Sequence, residues 1–371
     1  MITNFSNFIS EKIDMDTNII WFEKSNKYII INDLLKSLIL NKIDSNKYPL
    51  DQFFSETNKL KAENLKTIYN DIDSLLKECN KESKNKIQEE LSLNLKNFPH
   101  YSKFKFNKRV VKIEYSNKDL RNLIDPKFEH LKCDDKEQIV FKVQKNNKRI
   151  YLFKQEKLIN SWGESEMHEF QGKISMELTS FFHDIQESDW TAVFHGSTLS
   201  IRNNCLMLTG DSGDGKSSLS TILMANNFSL IADDFSPMSH DGIHYNFPSA
   251  ISIKEGFYCT AKNLFKSFDK LKEYYINDIK GNVKYLPAEN EELILSNRCD
   301  KVLNIKFGLD LKNEIKTVNK GKALENILPD TWISKDSNHA KSFIDWVKSS
   351  IFYDLTYNDN DRMLKMIKDI L

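Results

Sequence analysis

A glycine-rich segment near the middle of the chain has the residue types and spacing needed to hold phosphate. It matches the pattern G-x-x-x-x-G-K-[ST] at every fixed position. Glycine lets the backbone turn sharply and present successive N–H groups to phosphate oxygens, and the helix expected to follow adds positive potential at its start. The segment and the residue after it are Gly210, Asp211, Ser212, Gly213, Asp214, Gly215, Lys216, Ser217 and Ser218. The motif predicts a nucleoside triphosphate site in which Lys216 contacts the β- and γ-phosphates and Ser217 ligates Mg²⁺.

The residues on either side fit a strand–loop–helix unit. Asn204–Thr209 is an apolar run of strand length immediately before the loop, and Ser217–Met224 is compatible with a helix immediately after it. Chance matches to the pattern are rare in a chain with only 11 glycines. The context therefore favours phosphate binding over a glycine-rich turn without a ligand.

A second apolar strand, Phe228–Ala232, ends in two adjacent acids, Asp233 and Asp234. If this strand lies in a parallel sheet with the strand before the loop, its carboxyl end lies beside the loop, where ligands bind. One carboxylate would then hold Mg²⁺ and the other would accept the proton of an attacking hydroxyl. Taken alone, the pair is also compatible with a plain turn. His195 lies upstream of the loop strand, and a single histidine is also compatible with a structural role.

The length of 371 residues predicts two domains. The first, residues 1–95, is expected to hold a hairpin followed by three helices. The strands are Ile19–Phe22 and Tyr28–Ile31, and the helices begin at Asn32 or Asp33, at Pro49 and before Leu65.

Residues 96–371 are expected to form an α/β domain. Alternation with a period of two predicts four strands, and a stripe of apolar residues predicts a helix over Glu164–Phe182. The dipeptide Asp241-Gly242 predicts a turn between short strands, which argues against a metal site at His240 and His244. The four strands are Lys103–Phe106, Val110–Tyr115, Ile139–Val143 and Ile150–Phe153, and the end of the chain adds a strand over Lys301–Phe307 with helices over Ala340–Ile351 and Asp361–Leu371.

Composition excludes several classes of protein. Lys and Arg total 53 and Asp and Glu total 53, so no global basic field attracts nucleic acid. The basic strand near residues 103–112 is compatible with a nucleic-acid surface, but one solvated face explains it equally well. Lys254 and Lys284 could contact phosphate, but we expect them to be surface lysines. Five cysteines without a C-x-x-C pair exclude a zinc ribbon. No apolar run approaches the ~18 residues that span a bilayer, and the N-terminus lacks a signal pattern. We therefore expect a cytoplasmic protein with neither nucleic acid nor a membrane as its partner.

These elements together resemble the HPr kinase/phosphorylase family and its HPr-kinase-like relatives. In that pattern a His-Gly pair precedes the loop strand, and a strand ending in Asp-Asp follows the loop. The matching residues here are His195-Gly196, Gly210–Ser217 and Ala232–Asp234, and Asn246–Lys254 is similar to a proline-containing segment of those kinases. The resemblance implies an α/β fold with a P-loop core of the HPr-kinase and PEP-carboxykinase type.

The resemblance also implies a role for each matched residue. Asp233 would be the general base toward the acceptor hydroxyl, and His195 would orient or polarise Asp233. Asp234 and Ser217 would serve Mg²⁺, and Lys216 would serve the phosphates of ATP. The chain lacks the Glu-x-Arg-Gly-Leu-Gly signature of the bifunctional enzymes. The resemblance therefore does not extend to phosphorolysis or to recognition of HPr itself.

Residues 15–80 resemble PqqD-like peptide-recognition domains in their aromatic hairpin and in the Tyr28–Asn32 step into a helix. Such domains bind a leader peptide as an added β-strand. A small α+β, winged-helix-like structural domain is the alternative. The sequence thus predicts a kinase for Ser or Thr of a peptide or protein, such as a ribosomally made precursor. A small-molecule kinase and a nucleotide-binding regulator without transfer activity are the alternatives, and the oligomeric state, including a homo-oligomer, stays open.

Overall fold

The computed structural model describes residues 7–43, 62–82, 97–278, 280–289 and 293–371. These residues form a mixed α/β structure whose strands lie in five sheets. None of the helices in these ranges is long and apolar enough to cross a membrane.

Most strands follow one another in groups of two or more, with α-helices between the groups. The strands are β1 Phe8–Asp14, β2 Thr17–Phe22, β3 Lys27–Ile31, β4 His100–Phe106, β5 Arg109–Tyr115, β6 Ile139–Asn146, β7 Arg149–Lys154, β8 Lys157–Gly163, β9 Trp190–Phe194, β10 Ser197–Ile201, β11 Asn204–Thr209, β12 Ser229–Ala232, β13 Ser236–Ser239, β14 Ile243–Tyr245, β15 Ile251–Lys254, β16 Glu273–Asn277, β17 Gly281–Leu286, β18 Ser296–Arg298, β19 Lys301–Phe307, β20 Glu314–Thr317, β21 Thr331–Ile333 and β22 Ile351–Tyr357. The α-helices are α1 Asp33–Ile43, α2 Ala62–Cys79, α3 Lys118–Ile124, α4 Met167–His183, α5 Lys216–Met224, α6 Tyr258–Leu264, α7 Lys320–Ile327, α8 Ser337–Ser349 and α9 Asn360–Asp369.

The predicted N-terminal hairpin is confirmed, and it gains a third strand. β2 pairs with β3 and with β1, in both cases antiparallel. β1 escaped prediction because its polar and apolar residues do not alternate. α1 begins at Asp33, where the Asn32 side chain accepts a hydrogen bond from the Leu35 N–H at 2.9 Å. The helix predicted at Pro49 lies outside the described residues.

The N-terminal sheet packs on both of its faces. Ile20 and Phe22 point toward α1 and α2. Trp21, on the opposite face, belongs to the apolar core that continues into α7 and α8. Tyr28 meets Phe343 of α8 edge to face at 5.3 Å. An apolar core thus crosses the domain boundary predicted at residues 95 and 96, and the boundary itself stays a prediction.

The four strands predicted between residues 103 and 153 are confirmed as β4 to β7, and β8 completes their sheet. α4 confirms the predicted amphipathic helix and buries Phe170, Ile174 and Leu178 in the main core. The side of α4 that carries His168 and Lys173 is more open. This helix therefore leaves one flank available to line a cavity.

The central six-stranded sheet carries the glycine-rich loop. Its strand order is β12-β10-β11-β19-β22-β20. β11 is parallel to β19, whereas β10 is antiparallel to both β11 and β12. The expectation that the acid strand lies in a parallel sheet is therefore wrong, because β10 lies between β12 and β11 and runs antiparallel to both. Two successive antiparallel pairings still leave β12 and β11 running in the same direction, so their carboxyl ends share one edge.

β11 is apolar along its whole length because both of its faces are covered. Cys205 and Met207 face the main core, whereas Leu206 and Leu208 face a second core beneath α5 and α9. An apolar run without alternation is what such a doubly buried strand requires. The two cores consequently hold the strand from both sides where it leads into the loop.

The predicted turn at Asp241-Gly242 is confirmed. β13 and β14 pair antiparallel, with Met238 opposite His244. His244 is fully buried and its Nδ1 lies 2.9 Å from the Ser236 hydroxyl, whereas His240 is exposed. The two histidines therefore face different surroundings, and no group of three potential metal ligands occurs among the described residues.

Gly196 has no room for a side chain. A Cβ built there would lie 2.6 Å from the carbonyl oxygen of Leu208 in β11. Because that atom is backbone, the strand itself would have to shift. We expect Gly196→Ala to lower the free energy of unfolding by about 1–3 kcal/mol in urea denaturation. Gly172→Ala is the matched control, since its Cβ in α4 would meet nothing within 4 Å, and it should stabilise by about 0.5–1 kcal/mol. Equal stabilities for wild type and Gly196→Ala would contradict the clash.

Candidate functional site

The segment between β11 and α5 has the backbone conformation that a phosphate-binding loop requires. Gly210, Gly213 and Gly215 have φ values of 145°, 107° and 96°, which residues with a side chain rarely adopt. At Gly210 the backbone of Ile305 also lies close, because a Cβ built on Gly210 would lie 2.8 Å from the Ile305 carbonyl oxygen. The glycines of the motif are therefore needed for the shape of the loop, and α5 begins at Lys216 directly after it.

Asp214 holds the loop in this shape. Its carboxylate accepts a hydrogen bond from the Asp211 N–H at 2.8 Å, and its carbonyl accepts one from the Phe307 N–H at 3.2 Å. The Lys216 ammonium donates to the carbonyls of Gly210 at 2.6 Å and Asp211 at 3.2 Å. Lys216 thus lies against the loop with no carboxylate partner among the described residues, so its charge is available to an anion.

A cavity of about 240 Å³ opens over the loop, and we call it the loop cavity. It brings most of the predicted site residues together. Those lining it are Ser212, Gly213, Gly215, Lys216, Ser217, Ser218, His195, Asp233 and Asp234. Gly210, Asp211 and Asp214 do not line the cavity. Their role is to hold the conformation of the loop.

The loop cavity has three further lysines, which the motif does not contain. Lys127, Lys254 and Lys280 line it together with Lys216. The sequence analysis missed Lys127 and Lys280 and assigned Lys254 to the surface. Lys127 lies about eighty residues before the loop, so no local pattern links the two. Lys284 does not line the cavity, and its ammonium lies 5.2 Å from the centre of the Phe268 ring.

The two acids at the end of β12 have different environments. Asp233 is 4% exposed and accepts a hydrogen bond from the Ser197 hydroxyl at 2.5 Å. Burial and the negative charge of Asp234 raise the pKa of Asp233 to about 6. Asp234 has a left-handed φ of 65°, and its side chain is 50% exposed. The two carboxyl groups thus both line the loop cavity, but one is buried and the other is half-exposed.

Positive groups surround Asp234. Burial acts to raise the pKa of its carboxyl group, but the positive charges led by Lys127 and His195 hold the pKa below its ordinary value. The Lys127 ammonium lies 3.8 Å from its Oδ2, and the His195 Nδ1 lies 3.2 Å from its Oδ1. Asp234 is therefore an anion across the neutral pH range.

His195 contacts Asp234 rather than Asp233. Besides the 3.2 Å approach to the carboxylate, its Nδ1 lies 3.3 Å from the Asp234 carbonyl oxygen. The resemblance implied that His195 orients Asp233, but in the structure the group that holds Asp233 is Ser197. Ser197 was missed because its position in β10 becomes meaningful only when β10 pairs with β12.

The raised pKa of Asp233 predicts a pH-dependent cost in stability. The pKa of Asp233 in the folded protein, about 6, exceeds its ordinary value of 3.8. The contribution of Asp233 to the free energy of unfolding is therefore complete below about pH 4 and is lost as the pH rises through 6. Asparagine does not titrate. Between pH 5 and pH 8 we expect Asp233→Asn to gain about 1 kcal/mol of stability relative to wild type, measured by urea denaturation at both pH values. A stability difference that is the same at pH 5 and pH 8 would show that the pKa is not raised.

Comparison with known proteins adds little to this geometry. No family model matches the sequence, and no curated protein matches it. Among solved structures, the HPr(Ser) kinase/phosphatase from Coxiella burnetii aligns with 48% of this chain and 93% of its own, at 13% identity and a TM-score of 0.22. A superposition as loose as this carries no conclusion about fold or activity. The family resemblance therefore stays a prediction, and the chemistry of the site is inferred from its residues.

The loop cavity has oxygen atoms suited to a divalent cation. The Asp234 carboxylate is anionic and open to the cavity, and the Ser217 hydroxyl has no hydrogen-bond partner among the described residues. Mg²⁺ commonly takes one or two protein ligands and completes its shell with water and substrate phosphates. The lack of a larger ligand cluster among the described residues is compatible with that mode. Asp234 and Ser217 therefore fit Mg²⁺ brought in with a nucleotide.

Proposed function

We propose that this protein is a kinase that transfers the γ-phosphoryl group of ATP, bound with Mg²⁺, to a hydroxyl group. The observation that carries the proposal is the loop cavity, where main-chain amides at the start of α5 and four lysines face an acid pair. A triphosphate supplies the negative charge that such a cavity lacks. We also propose that the fold around it is a P-loop core of the HPr-kinase type.

The lysines and the loop would act by positioning and charge neutralisation. Lys216 would leave the carbonyls of Gly210 and Asp211 and donate to phosphate oxygens instead. The N–H groups at the start of α5 would add hydrogen bonds to the phosphates. Asp234 and Ser217 would hold Mg²⁺, which supplies charge neutralisation at the phosphates.

Asp233 is the proposed general base. A pKa of about 6 lets its carboxylate be ionised at neutral pH and still accept a proton readily. Ser197 occupies its Oδ1, which leaves Oδ2 for the proton of the acceptor. His195 would position the neighbouring Asp234 rather than the base itself.

The acceptor is proposed to be Ser or Thr of a peptide or protein. The N-terminal unit, with its three-stranded sheet, is the proposed recognition domain, as the PqqD-like resemblance implies. A test is incubation of the purified protein with ATP, MgCl₂ and Ser- or Thr-containing peptides, followed by mass spectrometry. A mass increase of one phosphoryl group on peptides, absent with Lys216→Ala, is expected. If MgATP binds but no hydroxyl compound is phosphorylated, the protein is a nucleotide-binding regulator and the kinase proposal is wrong.

A further inference from the structure

A second, larger cavity continues from the loop cavity past Asp234. Its volume is about 990 Å³, and it shares His195, Ser212 and Asp234 with the loop cavity. It lies between one flank of α4 and the segment that leads into β21. A molecule in it would reach Asp234, the member of the acid pair that lines both cavities.

The two cavities have opposite charge. Four lysines and two aspartates line the loop cavity. The larger cavity has four carboxylates, namely Glu169, Glu187, Asp234 and Asp330, and a single lysine, Lys173. We call it the acidic groove. An anionic nucleotide and a cationic acceptor would each find a complementary surface, and the two surfaces meet at Asp234.

The single lysine does not neutralise the acidic groove. Lys173 forms ion pairs with Glu187 and also with Glu177, so its charge is already shared between two acids. Asp330 is exposed, and its carboxylate has no hydrogen bond or ion pair with the residues that the structure describes. Asp330 therefore keeps a negative charge in the groove that a cationic ligand can use.

An aromatic surface lies next to the free acid. Trp332 is 46% exposed and lines the groove two residues after Asp330. The face of a tryptophan ring attracts Arg and Lys side chains by about 0.5–1 kcal/mol at exposed sites. An arginine or lysine of an acceptor could thus stack on Trp332 and pair with Asp330 at the same time.

Gly172 keeps the floor of the groove open. It lies in the interior of α4, where glycine is about 1 kcal/mol less favourable than alanine. Packing does not explain it, because a Cβ would meet nothing within 4 Å. Any side chain there would project into the groove, which Gly172 lines. The glycine costs helix stability and leaves space for a ligand.

We infer that the acidic groove binds the phosphoryl acceptor, and that this acceptor is a Ser or Thr in a peptide segment carrying Arg or Lys. The inference rests on the proposed kinase function and names its substrate class. The volume of the groove is at the upper end of the ~300–1,000 Å³ typical of ligand pockets, which suits several peptide residues. After transfer, the phosphopeptide carries added negative charge beside four carboxylates, which favours its release.

Direct binding tests the inference without requiring transfer. The probes are two tryptophan-free peptides, each with one central Ser, flanked by Arg in one peptide and by Glu in the other. The quenching of tryptophan fluorescence reports binding to the full chain. The Arg peptide should bind at least about tenfold more tightly than the Glu peptide, and the difference should shrink with added salt. Equal binding, or tighter binding of the Glu peptide, would overturn the inference.

Three variants locate the binding. Asp330→Lys should weaken binding of the Arg peptide about tenfold and strengthen that of the Glu peptide. Gly172→Leu should weaken both peptides, because it fills the groove without changing charge. Glu325→Lys is the matched control, since Glu325 is an exposed acid on α7 that lines neither cavity. If Glu325→Lys changes the preference as much as Asp330→Lys does, the effect is general charge and the groove is not the site.

Nucleotide binding, measured separately by calorimetry with MgATP, distinguishes the two ways of failing. If MgATP binds and the Arg peptide shows no preference, the acceptor assignment is wrong and the kinase proposal stands. If the Arg peptide binds selectively and MgATP does not bind, the groove is a peptide site and the kinase proposal is wrong.

Discussion

Replacing Lys216 by alanine is expected to lower the rate of phosphoryl transfer by about a hundred- to a thousandfold. Among the described residues, the Lys216 ammonium donates hydrogen bonds only to the carbonyls of Gly210 and Asp211. In the proposed complex it would be the charged donor at the loop itself, a position that the three lysines from other segments do not occupy. Initial rates with saturating peptide and MgATP measure the loss.

Lys216→Ala should change little besides transfer and nucleotide affinity. The side chain has no carboxylate partner among the described residues, so the free energy of unfolding should stay within about 0.5 kcal/mol of wild type. Lys266→Ala is the matched control, because Lys266 is exposed and lines neither cavity. A Lys216→Ala protein with wild-type turnover would mean that the loop does not bind the transferred phosphate.

Replacing Asp233 by asparagine is expected to lower kcat by about a hundred- to ten-thousandfold. The wild-type rate should fall as the pH drops through about 6, the pKa of Asp233, because only the carboxylate accepts a proton. This fall is the acidic limb of the pH–rate profile. In Asp233→Asn the residual rate should no longer show it. The measurement is kcat/KM for the peptide from pH 5 to pH 8.

Two further variants separate Asp233 from its neighbours. The Ser197 hydroxyl lowers the pKa of Asp233 by hydrogen bonding, so Ser197→Ala should move the acidic limb to higher pH and keep the base. Asp234→Asn should raise the Mg²⁺ concentration needed for half-maximal rate. It should keep the limb but move it to lower pH, because the negative charge of Asp234 raises the pKa of Asp233. If Asp234→Asn removes the limb and Asp233→Asn does not, then Asp234 is the base and the two roles are exchanged.

Local patterns predicted the elements that build the site. The hairpin of β2 and β3, the strands β4 to β7 and the helix α4 follow from periods of two and 3.6 residues. The short segment between Thr209 and Lys216 was predictable because the constraint is local, since its glycines must take φ values that other residues avoid. The apolar run of β11 likewise predicted a strand.

The parts that were missed depend on distant residues. β10 lies between β12 and β11, and this places Ser197 against Asp233. No sequence pattern near either residue predicts that pairing. Lys127 and Lys280 reach the loop cavity from segments about eighty residues before and about sixty residues after the loop. His195 was recognised, but its contact with Asp234 was not predicted.

The sequence by itself determined the loop, the helix that follows it and the presence of two acids at the end of a strand. These features are local because backbone conformation and amphipathic periodicity are set by neighbouring residues. Only the tertiary structure decided which acid is buried and which is exposed, and how the charges divide between the loop cavity and the acidic groove. Burial and electrostatic potential at a point depend on every chain segment packed around it, and the segments that meet at Asp233 and Asp234 are far apart in sequence.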